Sequence, residues 1–472
     1  MKTKLLNIGL GAAAVLVAAG VVVMRFTPAG AFVANAPAVG AGYAAEQMCG
    51  GVFVMGRDPA QVLSDDILPV NPLLKYADVS VDRAGMKVTA KLFHLSSRTA
   101  LYRPGLGCTL VGSGGEAALK AQAKGVVPME MRDRPAPWPA GDQVETRESP
   151  ALAAALDAAF AEGAGTRALL VVQDGRLVAE RYAPGFAKDM RFPGWSMAKS
   201  VTSALIGTLV EQGKADLDAP APVPEWKGAS DGRQAITLRQ LLTMSSGLRF
   251  TETYLPGDDV TAMLYRRDDM AAYAATRPLV HRPGTEWDYS SGTTDIVSHL
   301  IFAASGGTTA GAYNYMRTRL FEPSGMTSAV FAPDASGSPV GSSYLYMTAR
   351  DWARFGQLYL SEGQIGWQKV FTKDWVAQSR RPAILADGRS VAYGLQFWLN
   401  SDGTDGAKLR LPDCPADLFM AEGHDGQVVA IIPSERAVLV RLGLTPDEAS
   451  FDVNRHFVAI LDALRAGFLI GG

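Results

Sequence analysis

The chain has 472 residues, of which 48% are hydrophobic and 19% are charged, and its formal net charge is −2. This composition excludes an intrinsically disordered chain, which needs low hydrophobicity and a high net charge. It also excludes a collagen-like rod, because the 49 glycines follow no Gly-X-Y period. The balanced charge provides no basic surface, so we expect no nucleic-acid partner. What remains is a globular protein of about two or three domains.

An apolar segment near the N-terminus predicts membrane targeting. Lys2 and Lys4 precede an almost unbroken stretch of apolar or small side chains over residues 5–24, and Arg25 closes it. About twenty helical residues cover roughly 30 Å, the thickness of one bilayer core. We therefore predict that residues 1–25 are a signal anchor that contacts the membrane through residues 5–24, with the positive end inside. A cleaved signal peptide and a buried core helix are the alternatives.

Export makes the three cysteines interpretable. Targeting of this kind places the protein on the periplasmic or extracytoplasmic side of a bacterial inner membrane, or secretes it if the segment is cleaved. An oxidising compartment permits disulfide bonds. Cys49 and Cys108 flank one short region, so we predict that they pair and that Cys414 is left over. Pairings that involve Cys414 stay open at this point.

The composition of the chain changes at several points beyond the apolar segment. Residues 26–48 are rich in Ala, Gly, Pro and Val, and are predicted to be a linker. Residues 49–125 contain alternating and apolar runs, which predict a small strand-containing lobe. Residues 126–149 carry several prolines among charges and are predicted to connect this lobe to one larger domain over residues 150–472.

The larger domain begins and ends with strand patterns and is mostly helical in between. Residues 168–172 and 177–182 are predicted to form a hairpin across an Asp-Gly turn, and residues 428–442 predict a second hairpin. A long helix is predicted over residues 197–212. Strands contributed from both ends favour one antiparallel sheet flanked by helices, an α/β or α+β layered fold.

The start of the long helix carries the first candidate for catalysis. Ser196 and Lys199 form the pattern S-x-x-K, and a spacing of three places both side chains on one face of a helix. A serine hydroxyl is a poor nucleophile without a nearby base. Lysine can be that base if burial lowers its pKa. Alone, the pattern is weak, because an N-cap serine followed by an exposed lysine explains it equally well.

Two further motifs follow in the chain. Tyr289 and Ser291 form Y-x-S after a Pro-Gly turn. A phenol beside a buried ammonium can ionise partly and relay a proton to a leaving group, although a core tyrosine is the simpler interpretation. His424, Gly426 and Gln427 form H-x-G-Q at the opening of the C-terminal hairpin. Its glycine would let a strand edge approach a substrate closely.

The third motif also suggests an oxyanion hole. The backbone N–H of Gln427 could face that of Ser196, at the positive end of the long helix. Other patterns carry no site. Ser230 lies in a G-x-S-x-G sequence that lacks the strand and helix of a nucleophile elbow, and we predict a solvated loop there. No histidine lies in an H-E-x-x-H sequence, so no metal site is predicted.

The three motifs in this order resemble those of the serine β-lactamase and penicillin-binding-protein superfamily, in its class C-like, esterase-like branch. Residues 236–248 and 348–356 also resemble stretches typical of that branch. The likeness is strongest to the 6-aminohexanoate-dimer (nylon-oligomer) hydrolase-like serine hydrolases. This resemblance implies a helical lobe on a five-stranded antiparallel sheet and chemistry without metal or cofactor. It also implies Ser196 as acyl-enzyme nucleophile, Lys199 as base and Tyr289 as proton relay.

Two departures from the penicillin-active members bear on the substrate. Ser291 stands where they usually have Asn, and His424, Asp425 and Gly426 stand where they usually have Lys-Thr-Gly. We therefore expect an exported serine hydrolase acting on a small amide or ester, with His424, Gly426 and Ser291 contacting substrate. A β-lactamase or D,D-peptidase acting on β-lactams or cell-wall peptides is the alternative. A non-catalytic envelope binding module with the same fold is the second alternative.

Overall fold

The computed structural model of the chain describes residues 28–161 and 163–470. The predicted anchor at residues 1–25, including the membrane contact at 5–24, therefore lies outside the described residues. Within the described ranges, no helix combines the length and the apolar character that crossing a bilayer requires.

Helices and strands alternate unevenly along the chain, joined by short 3₁₀ and π-helical turns. The helices of the described residues are α1 (Pro28–Cys49), α2 (Pro59–Val62), α3 (Gly115–Gln122), α4 (Pro150–Ala159), α5 (Met197–Glu211), α6 (Leu238–Leu242), α7 (Asp259–Arg266), α8 (Met270–Ala275), α9 (Ser291–Ala304), α10 (Thr309–Met316), α11 (Ala349–Leu360), α12 (Lys373–Ser379) and α13 (Val453–Ile470).

The strands form one large sheet, a four-stranded sheet and three small ones. They are β1 (Ala77–Asp82), β2 (Lys87–Leu92), β3 (Ser96–Arg103), β4 (Gly107–Leu110), β5 (Thr166–Gln173), β6 (Arg176–Tyr182), β7 (Arg191–Pro193), β8 (Val330–Phe331), β9 (Leu345–Thr348), β10 (Gln364–Ile365), β11 (Gln368–Lys369), β12 (Ala383–Ile384), β13 (Ser390–Val391), β14 (Trp398–Leu399), β15 (Phe419–Gly423), β16 (Gln427–Ile432) and β17 (Ala437–Gly443).

The large sheet confirms the predicted antiparallel, layered fold. Its order is β14-β15-β16-β17-β5-β6, so a strand near the C-terminus pairs with one near the start of the domain, with Val440 opposite Leu170. Alternate β5 side chains face different cores. Leu170 and its alternate neighbours face the larger core under α5 and α11, whereas Leu169 and Val171 face the core under α4 and α13.

The sheet has six strands, not the five that the resemblance implied. The additional strand is β14, whose two residues pair with Met420 and Phe419 at the edge of the sheet. A strand of two residues is too short to produce an alternating pattern in the sequence. The predicted Asp-Gly turn joins β5 to β6, with positive φ angles of 52° at Asp174 and 73° at Gly175, as a tight hairpin turn of this kind requires.

The predicted linker at residues 26–48 is wrong over its described part, because Pro28–Cys49 is a continuous helix. Helix α1 packs on β2 and β3 of the four-stranded sheet and against α7. Its small residues permit this close approach: a Cβ added to Gly42 would lie 2.8 Å from the Cβ of Tyr265. The abundance of Ala and Gly that suggested a linker therefore serves helix packing.

Cys49 and Cys108 form a disulfide bond that ties the end of α1 to β4, and their Cα atoms are 6.1 Å apart. Cys414 is a buried free thiol. The bond closes a loop with a sequence separation of 59 residues. In the chain-entropy model, a loop of this size contributes about 4 kcal/mol to stability. The disulfide therefore fixes α1 on the N-terminal sheet.

Candidate active site

Ser196 lies at the turn that joins β7 to α5. It is 9% exposed and serves as the N-cap residue of α5, beside the positive end of the helix. The residue before it, Trp195, adopts a left-handed backbone with φ of 47°. Such a conformation costs a non-glycine residue about 1 kcal/mol or more, and it recurs at functional sites because the surrounding structure must hold it. This turn fixes the direction of the Ser196 hydroxyl.

Lys199, one turn further along α5, reaches the Ser196 hydroxyl directly. Its Nζ lies 2.9 Å from Ser196 Oγ, 2.9 Å from Ser291 Oγ and 3.1 Å from the carbonyl oxygen of Ser342. The same Nζ lies 4.9 Å from the ring centre of Tyr289. The side chain is 1% exposed. The structure thus brings together the lysine, the first-motif serine and both residues of the second motif.

The surroundings of Lys199 favour its neutral form more than water does. Burial lowers the pKa of Lys199 to about 8, while the negative charges of Glu252 and Asp295 act in the opposite direction. A neutral amine keeps a lone pair that can accept the proton of Ser196 Oγ. The site therefore holds a base that is available slightly above neutral pH.

We expect the activity to rise with pH through about pH 8. The reason is that ammonium cannot accept a proton, so below the pKa of Lys199 the rate should fall by about tenfold per pH unit. The measurement is kcat/KM for a nitrophenyl ester between about pH 6 and 10. Glu252→Gln removes a charge that favours ammonium, so its profile should shift to lower pH. A profile that is flat from about pH 6 to 9 would contradict Lys199 as the base.

Glu252 is a site residue that sequence reasoning missed. Its carboxylate accepts a hydrogen bond from the backbone N of Ser291 at 3.0 Å and a second, short one from Ser291 Oγ. Ser291 Oγ therefore bridges Lys199 and Glu252. Burial raises the pKa of Glu252, and the charge of Lys199 opposes this. No motif marks Glu252 in the sequence, because the loop that carries it reaches the site only through the fold.

Asp295, one turn beyond Ser291 on α9, holds Ser342, whose carbonyl oxygen contacts Lys199. Its carboxylate accepts hydrogen bonds from Ser342 N at 3.0 Å and from Ser342 Oγ at 3.2 Å. The Ser342 carbonyl in turn accepts from Lys199. Burial raises the pKa of Asp295, whereas the bonds from Ser342 and the charge of Lys199 lower it. Asp295 acts on the lysine mainly by holding this carbonyl in place.

Tyr289 lies where its phenol can hydrogen-bond to Ser196. Its ring stacks on Trp398 with the ring centres 5.3 Å apart and meets Tyr393 edge-on. Burial raises the pKa of Tyr289 well above its usual value. The partly ionised phenol that we expected from the sequence is therefore disfavoured, and the side chain is a neutral donor at physiological pH. Its role as a proton relay stays a prediction.

Tyr254 is the second residue that the sequence did not reveal. Its phenol lies near Ser196 and Ser291, and burial raises its pKa well above the usual value. The ring of His424 stacks on Tyr254 with ring centres 4.8 Å apart and meets Trp195 edge-on at 5.7 Å. These three rings form a wall beside the nucleophile, which we call the aromatic wall.

The strand that precedes the third motif passes close to the nucleophile turn. A Cβ on Gly423 would clash with the carbonyl oxygen of Gly194, so β15 passes directly along the nucleophile turn. Gln427 is buried, and its Nε2 donates to the carbonyl oxygens of His424 at 3.1 Å and Gly443 at 2.7 Å. The oxyanion role of Gln427 stays a prediction, and Gly423 is a second backbone position close to the turn.

Arg441, which is fully buried, holds the turn of the third motif. Its Nη1 donates to the carbonyl oxygens of Gly426 at 2.8 Å and Asp425 at 3.2 Å, and Nη2 donates to that of Ala164 at 2.7 Å. A Cβ on Gly426 would lie 2.5 Å from this guanidinium. The glycine of the motif therefore makes room for the arginine, and its predicted contact with substrate stays a prediction.

A wide cleft of about 680 Å³ opens over these groups. Ser196, Tyr289, His424 and Gly426 line it, and so does Arg410, which packs over the ring of Trp398. Within the described ranges, no group of His, Cys, Asp or Glu side chains is arranged to hold a metal ion. The cleft therefore offers a nucleophile, a buried base and neutral phenol donors.

Comparisons with known proteins agree with this geometry. The Beta-lactamase family model matches residues 152–463. The 6-aminohexanoate-dimer hydrolase of Paenarthrobacter ureafaciens is 27% identical over 305 residues, which cover 60% of this chain and 73% of that protein. The region that holds α1 and the four-stranded sheet lies outside the family match.

Solved structures share the fold. A Bacillus anthracis protein provisionally named 6-aminohexanoate-dimer hydrolase aligns with a TM-score of 0.55 and 22% identity, over 67% of this chain and 83% of that one. A family VIII carboxylesterase aligns with a TM-score of 0.54 and 16% identity, over 69% of this chain and 99% of that one. At such identities the likeness establishes the common fold and nothing finer.

Proposed function

This chain belongs to the beta-lactamase family, and on that premise we propose that it is a serine hydrolase that cleaves small amides or esters through an acyl-enzyme at Ser196. The observation that carries the proposal is the contact of 2.9 Å between Lys199 Nζ and Ser196 Oγ. Burial lowers the pKa of that lysine to about 8. The relatives named as hydrolases of a 6-aminohexanoate dimer and of carboxyl esters favour this substrate class.

In the proposed first step, neutral Lys199 takes the proton of Ser196 while Oγ bonds to the substrate carbonyl carbon. The negative charge that develops on the carbonyl oxygen is stabilised by the backbone N–H of Ser196 at the start of α5. The bond to the leaving group then breaks, and Tyr289 donates a proton to the departing nitrogen or oxygen. The Lys199 ammonium restores the proton of the phenol.

In the second step, water attacks the acyl carbon and gives a proton to Lys199. The bond between Ser196 Oγ and the acyl carbon breaks, the proton returns to Oγ, and a carboxylic acid is released. Ser196 and Lys199 already contact one another, so proton transfer between them needs little rearrangement. No metal or cofactor enters this proposal.

The third motif favours esters and linear amides over β-lactams. His424 presents an imidazole, which has no permanent charge, where penicillin-active members present a lysine that faces the substrate carboxylate. A hydrogen bond to a charged donor is roughly twice as strong as one to a neutral donor. The β-lactamase or D,D-peptidase alternative therefore lacks its usual anchor in this site.

We expect the protein to hydrolyse a short-chain nitrophenyl ester at least about tenfold faster, in kcat/KM, than a chromogenic cephalosporin. His424→Lys restores a permanent cation and should narrow this ratio by lowering the KM for the cephalosporin. His281→Lys, which adds the same charge at an exposed position, is the matched control and should leave the ratio unchanged. Faster turnover of the cephalosporin by the parent would favour the β-lactamase alternative.

Covalent labelling distinguishes an enzyme from a binding module of the same fold. A serine-reactive phosphonate should label the parent once, at Ser196, and this label is located by peptide mapping. A parent that takes up no label while it binds amides or esters would favour the non-catalytic alternative.

We also propose export of the folded domain to the periplasmic or extracytoplasmic side. The apolar residues 5–24 and the disulfide between Cys49 and Cys108 support this location. Cell fractionation of the full chain, with and without residues 1–25, tests it. Recovery of the full chain in the cytoplasm with both cysteines reduced would contradict it.

A further inference from the structure

A second cavity lies behind the aromatic wall, on the side away from Tyr289. It has a volume of about 110 Å³. One face is built by α1 and the segments near β2, through Val39, Tyr43, Leu74 and Leu92. These residues precede the part of the chain that matches the family. The cavity is therefore a feature that the N-terminal region adds to the hydrolase domain, and we call it the N-terminal pocket.

The chemistry of the N-terminal pocket is that of a hydrocarbon site. Among the described residues that line it, none is Asp, Glu, Lys or Arg, and aliphatic and aromatic side chains predominate. Val39, Leu74 and Leu92 are each no more than 6% exposed. A lining of this kind gains free energy by taking an alkyl group out of water and offers nothing to compensate a buried charge.

The N-terminal pocket and the catalytic cleft share two residues of the aromatic wall. Tyr254 and His424 line both cavities, and Trp195, which precedes the nucleophile, lines the pocket. Tyr289, which is proposed to protonate the leaving group, lines the cleft alone. With its leaving group beside Tyr289, a substrate bound at Ser196 has its acyl side towards the aromatic wall.

We propose that the N-terminal pocket takes the aliphatic acyl chain of a substrate whose carbonyl carbon is attacked by Ser196. The inference rests on the proposed hydrolase function and makes it more specific, because it names medium-chain acyl esters or amides as the substrate class. The acyl chain passes the stacked rings of Tyr254 and His424, of which the His424 side chain is 39% exposed. Each methylene buried in the pocket should improve binding by about fourfold.

The test compares nitrophenyl acetate, hexanoate and octanoate with the full-length parent. We expect kcat/KM to increase by at least about tenfold from acetate to octanoate, since several methylenes become buried. Ala36→Phe fills the pocket from α1, because Ala36 lines it. This variant should lose most of the preference for octanoate and keep its rate on acetate. Ala34→Phe is the matched control, since the same change is made at an exposed position of the same helix.

A second variant distinguishes loss of the pocket from misfolding of the protein. Leu73 lines the pocket and is 38% exposed, so Leu73→Asp brings a charge to the pocket without overfilling the core. It should reduce the rate on octanoate alone, and Leu95→Asp, at a side chain 75% exposed, should not. Equal parent rates on all three esters, or equal loss on acetate and octanoate in both pocket variants, would overturn the proposal.

The two proposals fail in different ways. Hydrolysis of acetate that depends on Ser196, without any preference for longer chains, overturns the pocket proposal alone and leaves the hydrolase function standing. Absence of hydrolysis with all three esters overturns both proposals.

Discussion

Replacement of Ser196 by alanine is expected to lower kcat by about 10³-fold or more while the protein stays folded. The change removes only the hydroxyl, which forms the acyl bond and contacts Lys199 Nζ at 2.9 Å. The backbone N–H groups at the start of α5 persist, so a small residual rate is expected. The measurement is kcat on a short-chain nitrophenyl ester, with circular dichroism to establish that the variant is folded.

Ser230→Ala provides the matched control for this experiment. Ser230 lies in an exposed loop within a G-x-S-x-G sequence, so it has the pattern of a nucleophile without the geometry. Its replacement should leave kcat and phosphonate labelling unchanged. Equal losses in the Ser196 and Ser230 variants would show that neither serine is the nucleophile.

Lys199→Arg is expected to lower kcat by about 10³-fold as well. Arginine stays charged at every accessible pH and cannot accept the serine proton. The Lys199 side chain is 1% exposed, and its single nitrogen contacts three oxygen acceptors. The arginine side chain would have to fit this same buried space. Its activity should also lose the rise through about pH 8 that we expect for the parent. A pH series of kcat on the same ester measures both effects.

Lys214→Arg is the corresponding control. Lys214 is exposed just beyond the end of α5, so the same substitution is made close to the same helix but away from the cleft. It should behave like the parent at each pH. A Lys199→Arg enzyme within about tenfold of the parent would exclude the lysine as general base.

The sequence predicted those parts of the site that are local. Ser196 and Lys199 were recognisable because one turn of helix places them together, whatever the rest of the chain does. Tyr289 was recognised by its order among the motifs. Glu252 and Tyr254 were not, because their roles arise from contacts with residues far away in the chain, such as Ser291.

The predicted linker at residues 26–48 was wrong over its described part for a physical reason. The Ala- and Gly-rich composition of α1 is typical of a linker and of a closely packed helix alike. The close contact of Gly42 with Tyr265 shows that the small residues here serve helix packing. The nucleophile turn likewise acquires its neighbour from a distant segment, since β15 passes Gly194 at Gly423. In both cases a residue far away in the sequence determines which structure the local pattern adopts.

The packing of α1 has a consequence for the order of folding. Helix α1 is synthesised early. It contacts α7, and the turn that follows it contacts Tyr346, yet both partners lie hundreds of residues later in the chain. Its buried face therefore has no complete partner until most of the chain has been made, and contacts of such large sequence separation form slowly. The N-terminal region and the hydrolase domain are thus expected to fold as one cooperative unit rather than one after the other.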